Sequence, residues 1–274
     1  MIRKVACALA IGGLDPGGGA GLAADLRAFH AAGAFGCAAI AVTTIQSTDG
    51  LRAIHPVPAS QLEDQVTEVL RHQRVRAIKI GALGSATSVR AVARALEHAH
   101  GVPTVVDTPM LPTRGRTRLL AKKAIAVLEK EILPRATLLT VNANEAQTLV
   151  GHRVRTVDEA RDAALELAAA GPWSVLVKGG HLTEVDAVDT LVVGGKVVQF
   201  RARRLRLAPV HGGGCVLASL IAGRLAVRAH DRIGAKALVA AVRWAKRVHR
   251  AALSRPWDVG GSLLVVVPSG GEDR

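Results

Sequence analysis

The chain has 274 residues, of which 49% are hydrophobic and 21% are charged, and its formal net charge is +14 at pH 7. This composition is typical of a globular protein with a large core, and no apolar run approaches the roughly 20 residues that span a bilayer. With three Trp, three Phe and no Tyr, the chain lacks the aromatic side chains that stack on bases. We therefore expect no membrane or nucleic-acid partner, and a basic excess that is surface charge or attracts phosphates.

The three cysteines, Cys7, Cys37 and Cys215, lie far apart and show no metal-ligand spacing. A sparse and odd set argues against a disulfide framework and is typical of proteins in the reducing cytosol. The first residues loosely resemble a signal peptide, but their apolar part of about seven residues leads into a glycine-rich loop without a convincing cleavage site. We therefore expect a cytoplasmic protein.

Short apolar runs alternate with helical patterns along most of the chain, which predicts a parallel sheet covered by helices. The predicted strands are 5–12, 38–44, 77–81, 104–107, 138–141 and 174–178, with 263–267 as either a short strand or part of the tail. The predicted helices are 20–32, 60–71, 88–98, 119–131, 157–169, 215–228 and 233–253. The pair Gly194-Gly195 between apolar runs predicts an antiparallel hairpin at the sheet edge. Since linkers and repeats are absent from the sequence, we expect a single domain over residues 1–274.

The segment His211–Cys215, which reads HGGGC, leads directly into a predicted helix. Three glycines let the backbone turn sharply and point consecutive N–H groups at one spot, and the helix start adds the positive end of its dipole. The segment is therefore a candidate site for a phosphate or a developing oxyanion. Cys215 is a candidate base or nucleophile, and we expect the helix start to lower its pKa. The alternative is a glycine-rich turn with a buried structural cysteine.

Polar residues follow several predicted strands at their carboxyl ends, where open α/β sheets bind ligands. The first is the glycine-rich loop 12–21, with Asp25 one turn into the next helix; its spacing is that of neither a dinucleotide fingerprint nor a Walker A loop. Gln46 ends the second strand and has both the donor and the acceptor that recognition of a heterocycle edge requires. A purely structural turn remains the alternative for both.

Acidic residues end two neighbouring strands, Asp107 directly and Glu145 in the segment Asn142-Ala143-Asn144-Glu145. Together they could hold Mg²⁺, largely through waters and the phosphates of a nucleotide. The alternative is that each is a surface carboxylate or part of a helix cap, with Asn142 or Asn144 as the cap. Lys178 ends a further strand and is a flexible cation suited to phosphate.

The segment Gly13–Asp25, which reads GLDPGGGAGLAAD, resembles the opening motif of the hydroxymethylpyrimidine/phosphomethylpyrimidine kinases, thiamine-biosynthesis members of the ribokinase-like superfamily. Further segments resemble that family's blocks in the same order, and His211–Cys215 completes the series; they are Lys79–Ser85, Asp107–Met110, Asn142–Ala146 and Val177–His181. The resemblance covers about residues 5–230. It implies a ribokinase-like α/β fold, in which helices flank a mostly parallel central sheet with an antiparallel edge hairpin. It also implies a homodimer that uses ATP and Mg²⁺ to phosphorylate 4-amino-5-hydroxymethyl-2-methylpyrimidine and its monophosphate.

The resemblance further implies roles for individual residues. Cys215 would take the proton from the substrate hydroxyl, and the anion hole would consist of the backbone amides of Gly212, Gly213, Gly214 and Cys215 itself. Positions that hold or line the pyrimidine would be Gly13, Asp25, Gln46, Ala82 and Pro109. Asp107 and Glu145 would organise Mg²⁺ and its waters. Lys178 and Asn142 would lie at the nucleotide.

The chain departs from the family pattern in the glycine segment. The family usually has Gly-Thr-Gly-Cys-Thr, whereas Gly213 and Val216 stand here in place of both threonines. Two hydroxyls that could contact phosphate or cap the helix are therefore missing. Ala82 occupies a position often held by Met, which could enlarge the pocket. Two alternatives stay open: a pyridoxine or pyridoxal kinase, whose substrate ring also carries a hydroxymethyl group, and a degenerate paralogue that binds nucleotide, pyrimidine or nucleic acid without catalysis.

Overall fold

The computed structural model describes residues 4–107, 119–171, 174–228 and 233–270. Within these ranges, nine strands form the main sheet: β1 Cys7–Leu14, β2 Phe35–Ser47, β3 Gly50–Pro56, β4 Val75–Ile80, β5 Thr104–Asp107, β6 Leu138–Asn142, β7 Ser174–Lys178, β8 Asp186–Val193 and β9 Lys196–Arg203. Two short strands form a second sheet, β10 Val210–His211 and β11 Leu264–Val265.

The helices of the described part cover both faces of the main sheet. They are α1 Gly21–Ala31, α2 Ala59–His72, α3 Ala86–Ala95, α4 Lys122–Glu131, α5 Ala143–Val150, α6 Val157–Ala169, α7 Gly213–Arg228 and α8 Ala235–Leu253. Short 3₁₀ turns occupy Leu96–His98, Leu133–Arg135 and Gly179–His181. Among the described residues, none of these helices is both long and apolar enough to span a membrane.

The strand order of the main sheet is β3-β2-β1-β4-β5-β6-β7-β8-β9. The six strands from β2 to β7 in this order pair in parallel, while β3 at one edge and β8 and β9 at the other are antiparallel. The predicted α/β class, the mostly parallel sheet and the hairpin around Gly194-Gly195 are therefore confirmed. The parallel strands direct their carboxyl ends to one edge of the molecule.

The second antiparallel edge was not predicted from the sequence. β2 continues to Ser47, beyond the predicted end at residue 44, and β3 turns back along it. β3 was missed because it lies at the sheet edge and is half-solvated, so its sequence, GLRAIHP, has no continuous apolar run. Its terminal Pro56 is tolerated because an edge strand does not need every backbone donor.

The sheet separates two apolar layers, and β1 shows how the sequence assigns them. Leu9 and Ile11 face the layer formed with α2 to α6, whereas Ala8 and Ala10 face the layer formed with α1, α7 and α8. The alanines are small, so helices can approach the sheet closely on that side. α7 is buried along most of its length there. Its first residues therefore reach the edge at which the parallel strands end.

The segment after α8 ties two parts of that edge together. The run predicted as a strand or tail contains β11, which pairs in parallel with β10 just before α7. In the same segment, the Gly260 carbonyl accepts a hydrogen bond from Thr48 Oγ1 at 2.7 Å, in the turn after β2. The tail thus links the turn that follows Gln46 to the segment that leads into α7.

We predict that Gly261→Ala destabilises the protein more than Gly260→Ala does. Both glycines have a positive φ, +77° at Gly261 and +88° at Gly260, and a side chain in that conformation costs about 1–2 kcal/mol. A Cβ at 261 would also lie 2.0 Å from Thr48 Oγ1, whereas a Cβ at 260 would meet no atom within 4 Å. Urea unfolding of both variants measures the difference, and equal losses would contradict the close packing of the tail on Thr48.

Candidate active site

Most of the predicted site residues lie at the same edge of the sheet. Each follows or ends a different strand, and they are Gly13 on β1, Gln46 on β2, Ala82 after β4, Asp107 on β5, Asn142 on β6 and Lys178 on β7. Pro109 lies outside the described residues. The start of α7 reaches this edge from one face, so residues far apart in sequence meet there.

Glycines allow two loops at this edge to pack backbone against backbone. Gly212 has φ +79°, and a Cβ there would lie 1.9 Å from the carbonyl oxygen of Gly19. A Cβ at Gly19 would in turn lie 2.3 Å from His211 Cδ2. No larger residue fits either position without moving the chain. The loop after β1 therefore fixes the segment that leads into α7.

The predicted anion hole coincides with the first turn of α7. The helix begins at Gly213, and its first backbone bond runs from the N–H of Val216 to the carbonyl of Gly212 at 3.0 Å. The N–H groups of Gly213, Gly214 and Cys215 precede this bond, so they have no acceptor within the helix. Gly214 is exposed, and Gly213 and Cys215 are half-buried. These N–H groups can donate hydrogen bonds to an anion that arrives from solvent.

The pKa of Cys215 shifts in the direction opposite to the sequence prediction. Burial raises the pKa of the thiol to about 11; nearby Lys79 opposes this rise, whereas Asp107 and Asp25 add to it. A hydrogen bond from the backbone of Gly21 also favours the thiolate. The prediction of a lowered pKa was wrong because it considered the helix start alone. Burial and two carboxylates from other elements raise the pKa instead.

Asp25 forms an interior ion pair that the sequence reasoning missed. Lys79 Nζ donates to Asp25 Oδ1 at 3.0 Å and to Oδ2 at 2.9 Å, and Ser219 Oγ donates to Oδ1 at 2.7 Å. Asp25 is 0% exposed and Lys79 is 1% exposed. Burial alone would lower the pKa of Lys79, but Asp25 raises it and holds the amine protonated. A lysine within the apolar strand run 77–81 was the available signal for this pair.

Asp25 is therefore fully enclosed in this structure and exposes no surface to solvent. Its two oxygens are engaged by Lys79 and Ser219, and Lys79 Nζ lies 2.8 Å from where a Cβ of Gly81 would be. Gly81 directly precedes Ala82. The ion pair consequently lies beneath the loop that carries one of the predicted pyrimidine-lining positions.

A second ion pair, between Asp107 and Lys178, lies beside Gly214 at the start of α7. Asp107 Oδ1 accepts hydrogen bonds from Lys178 Nζ at 2.8 Å and from Thr140 Oγ1 at 2.9 Å. Burial would raise the pKa of Asp107, but Lys178 and Lys79 hold it below its usual value. A Cβ at Gly214 would lie 3.3 Å from Lys178 Nζ and 4.0 Å from Asp107 Oδ2. Gly214, Lys178 and Asp107 are thus neighbours at the start of α7.

Asn142 and Glu145 form a capping box at the start of α5. Asn142 Oδ1 accepts the backbone N–H of Glu145 at 2.9 Å, and Glu145 Oε2 accepts the backbone N–H of Asn142 at 2.8 Å. The alternative interpretation of Asn142 as a helix cap is therefore confirmed, although α5 itself was not predicted. Glu145 also raises the pKa of Lys178 through its charge. The box holds this carboxylate at the edge of the site.

The donors present fit a hard cation that arrives with its own ligands. Among the described residues, no group of three or more His, Cys, Asp or Glu side chains could hold a metal by itself. Asp107 and Glu145 offer carboxylate oxygens at neighbouring strand ends. Mg²⁺ typically takes one or two carboxylates and completes its shell with waters and phosphates.

At the other end of the site, Gln46 contacts a buried Asp–His pair. Gln46 Nε2 lies 3.2 Å from His211 Nε2, which lies 2.8 Å from Asp15 Oδ2. Asp15 also accepts the backbone N–H groups of Gly17 and Ala20, each at 2.9 Å. The sequence analysis missed the pairing of Asp15 and His211, since 196 positions separate them and no local pattern joins them.

Gly13 and Ala82 lie next to one another beside this end of the site. A Cβ at Gly13 would lie 3.8 Å from Ala82 Cβ and 2.9 Å from Val42 Cγ2. Gly13 thus allows close approach of β1 and β2, and Ala82 is half-buried at the loop after β4. The two positions thus form a small apolar contact between the end of β1 and the loop after β4.

The fold and this edge of the sheet place the chain among the phosphotransferases with a ribokinase-like fold. Two solved structures show the likeness over nearly the whole chain. The ADP complex of Bacillus subtilis pyridoxal kinase has a TM-score of 0.86 at 25% identity, covering 97% of this chain and 98% of that one. A phosphomethylpyrimidine kinase from Clostridium difficile 630 has a TM-score of 0.76 at 30% identity, covering 91% and 99%.

Sequence comparison narrows the class to one family. The family model described as phosphomethylpyrimidine kinase matches residues 15–266. The hydroxymethylpyrimidine/phosphomethylpyrimidine kinase of Mycobacterium tuberculosis is 42% identical over 222 residues, which are 80% of each chain. That of Bacillus subtilis is 33% identical over 220 residues, 80% of this chain and 81% of the relative. The chain belongs to the phosphomethylpyrimidine kinase family, and the predicted resemblance is confirmed.

We predict that Lys79→Met lowers the free energy of unfolding by about 3–5 kcal/mol, because it leaves the buried Asp25 carboxylate without its counter-ion. The double variant Lys79→Met/Asp25→Asn should recover most of this loss, since it removes both charges and keeps an acceptor for Ser219. Urea unfolding of the two variants is the measurement. Arg94→Met, which removes a surface ion pair with Glu63, is the control and should change little. A double variant as unstable as Lys79→Met would contradict a paired, charged Asp25.

Proposed function

We propose that this protein transfers the γ-phosphoryl group of ATP to the hydroxymethyl oxygen of 4-amino-5-hydroxymethyl-2-methylpyrimidine, and then a second group to the resulting monophosphate. One observation carries the proposal. The segment His211–Cys215 extends from Gln46, which contacts His211, to the Lys178–Asp107 pair, which lies beside Gly214. Gln46, which would recognise the heterocycle, and the Lys178–Asp107 pair, which would lie at the phosphate, are thus at the two ends of one short segment that ends in Cys215.

The ring of the substrate would lie against Gly13 and Ala82, with Gln46 at its polar edge. The Gln46 amide has one carbonyl and one NH₂ group, so it can pair with a ring nitrogen or with an exocyclic amino group. Asp25 would act on this pocket from behind, through Lys79 and the Gly81–Ala82 loop. We also propose, as the sequence predicts, that Pro109 lines the pyrimidine.

The Cys215 thiolate would remove the proton of the substrate hydroxyl as the hydroxyl oxygen attacks the γ-phosphorus. The bond from that phosphorus to the bridging oxygen breaks, and ADP leaves with the electron pair. The amides of Gly212, Gly213, Gly214 and Cys215 would stabilise the negative charge of the transferring group, with Lys178 beside them. Phosphoryl transfer depends mainly on such positioning and charge stabilisation.

Asp107 and Glu145 would hold Mg²⁺, largely through waters. When bound, the ion supplies charge neutralisation on the phosphates. Asn142 would serve the nucleotide site by holding Glu145 in the capping box. A single domain over residues 1–274, a homodimer and a cytoplasmic location complete the proposal as the sequence predicts them.

Pyridoxal kinase activity is the second candidate, and the high structural similarity to Bacillus subtilis pyridoxal kinase supports it. The greater identity to pyrimidine kinases, 42% against 25%, favours the pyrimidine. A degenerate, non-catalytic paralogue is less well supported. Cys215, Asp107, Lys178 and Glu145 are all present at one edge, and a decayed enzyme has no need of the full set.

The test is ADP release by the purified protein with Mg-ATP, offered the hydroxymethylpyrimidine, its monophosphate or pyridoxal separately. Cys215→Ala should abolish phosphorylation of the hydroxymethyl group without loss of folding. It should impair the second step less, because a phosphate monoester has lost its last proton above about pH 6 and needs no base. Since the thiolate is the reacting form and the pKa of Cys215 is about 11, the wild-type first step should accelerate as pH rises from 7 to 9.

Each outcome of this assay decides between the candidates. Turnover of pyridoxal alone would move the assignment to the second candidate. No turnover of any substrate by folded protein would favour the paralogue. Full first-step activity of Cys215→Ala, or a rate that does not change between pH 7 and 9, would remove Cys215 as the base.

We further predict that Glu145→Gln raises the Mg²⁺ concentration needed for half-maximal activity by about tenfold and leaves the fold intact. The Gln carbonyl still accepts the Asn142 N–H, so the capping box is kept, while the negative charge that would attract the cation is lost. A Mg²⁺ titration of ADP release measures the effect, with thermal unfolding as the folding control. An unaltered titration would argue against Glu145 as part of the magnesium site.

A further inference from the structure

α8 contacts the backs of two segments that face the proposed phosphate site. His249 Nε2 lies 2.8 Å from the carbonyl oxygen of Gly213, at the first turn of α7. Three residues earlier, Lys246 pairs with Asp189 on β8, whose Oδ1 accepts the backbone N–H of Gly179 at 2.8 Å. Residues three apart lie on one face of a helix. One face of α8 therefore supports both segments.

The His249 contact fixes the direction of a particular N–H group. A carbonyl oxygen only accepts, so Nε2 of His249 must carry the hydrogen and donate it. The carbonyl of Gly213 and the N–H of Gly214 belong to one trans peptide plane and point in opposite directions. Because the carbonyl is held toward α8, the N–H of Gly214 is held away from α8. Glycine at both positions gives the backbone no side-chain restraint of its own.

The Asp189 contact fixes the segment that carries Lys178. Gly179 follows Lys178 directly, and a Cβ at Gly179 would lie 2.1 Å from the carbonyl oxygen of Val188. The backbone after β7 thus packs closely against β8, and Asp189 accepts the hydrogen bond of the Gly179 N–H. Lys178 Nζ in turn lies 3.3 Å from where a Cβ of Gly214 would be. The spacing between this ammonium and the first turn of α7 therefore depends on two anchors that share α8.

Charge reinforces this arrangement. Burial and the nearby Lys246 ammonium together lower the pKa of His249 to about 4, while Asp189 opposes the shift. Lys178 also acts on His249 in the same sense as Lys246. His249 is therefore neutral at physiological pH and contributes a hydrogen bond rather than a charge. Its donor is present throughout the pH range of the assay.

We propose that His249, and Lys246 acting through Asp189, are positioning residues that hold the Gly214 N–H and the Lys178 ammonium at the separation that the transferring phosphoryl group requires. The catalytic part of this inference rests on the proposed function. His249 acts through the carbonyl of Gly213 and Lys246 acts through Asp189 on Gly179, so both side chains act on backbone groups from the α8 side. Their removal should therefore affect the transition state more than pyrimidine binding.

The test compares four variants of the full chain by steady-state kinetics. His249→Leu removes the donor, whereas His249→Gln keeps an N–H that can reach a carbonyl. Lys246→Met removes the inward cation of α8, and Arg247→Met, at the exposed neighbouring position, is its matched control. We expect His249→Leu and Lys246→Met to lower kcat about tenfold with the pyrimidine KM changed less than about twofold. His249→Gln should recover most of kcat, and Arg247→Met should behave as wild type.

Three kinetic results would overturn the proposal. They are an unchanged kcat in His249→Leu and Lys246→Met, a Gln variant no better than Leu, and a loss confined to KM. Combining His249→Leu with Lys246→Met adds a further check. If both anchors hold one geometry, the second loss should be smaller than the first, so the combined loss should fall below the product of the single losses. Fully multiplicative losses would contradict a shared role.

Hydrogen exchange gives a readout that does not depend on the substrate. His249→Leu should accelerate amide exchange in residues 211–216, and Lys246→Met should do so in residues 178–182, with Arg247→Met unchanged in both. If both variants exchange faster at these segments than the wild type, but the wild type turns over no substrate, the proposed function is refuted and the structural anchors are retained. Unchanged exchange in both variants would refute the anchors, whatever the kinetics of the wild type.

Discussion

The buried ion pair between Asp25 and Lys79 constrains the arrangement of three elements, α1, β4 and α7. Each charge costs several kcal/mol to bury, so the interior accepts the pair only when both partners and their remaining hydrogen bonds are in place. Ser219 completes the set from α7. Gly21 contacts Cys215, and one helical turn further Asp25 contacts Ser219, so α1 and α7 lie side by side and run in the same direction. Both helices consequently begin at the edge where the parallel strands end.

The pairing of both lysines at this edge also bears on the proposed phosphate site, to which backbone groups would contribute. Lys79 and Lys178 are each paired with an aspartate, through Asp25 and Asp107 respectively. Each ammonium therefore already has a carboxylate partner. In the proposed phosphate site, the N–H groups in the first turn of α7 would act together with the Lys178 ammonium, and they do not depend on the side chains at positions 213 and 216. The absence of both usual threonines leaves this backbone device intact.

Sequence reasoning predicted which residues share the carboxyl edge of the sheet, because each of them is recognised locally. Asp107, Asn142 and Lys178 were found as polar residues at the ends of apolar strands, and the rule that parallel strands share a carboxyl edge brought them together. What it missed requires contacts across the fold. The Asp15–His211 and Asp25–Lys79 pairs join distant segments, and the direction of the Cys215 pKa shift depends on burial and on two carboxylates from other elements. The edge strand β3 was missed for a different reason, since half-solvated strands lack a continuous apolar run.

The glycines at the sheet edge determine how much of the site can move. Gly212 packs on Gly19 so closely that the loops have no space for a side chain, and β11 holds the adjacent β10 from the tail. A segment with three consecutive glycines would otherwise lose much conformational entropy on ordering. Packing from the β1 loop, from the tail and from His249 on α8 offsets that cost on three sides. The side toward Gln46, Lys178 and Asp107 is where we propose that substrate binds, so the rigidity that phosphoryl transfer needs would be supplied by parts of the chain that do not touch the reacting groups.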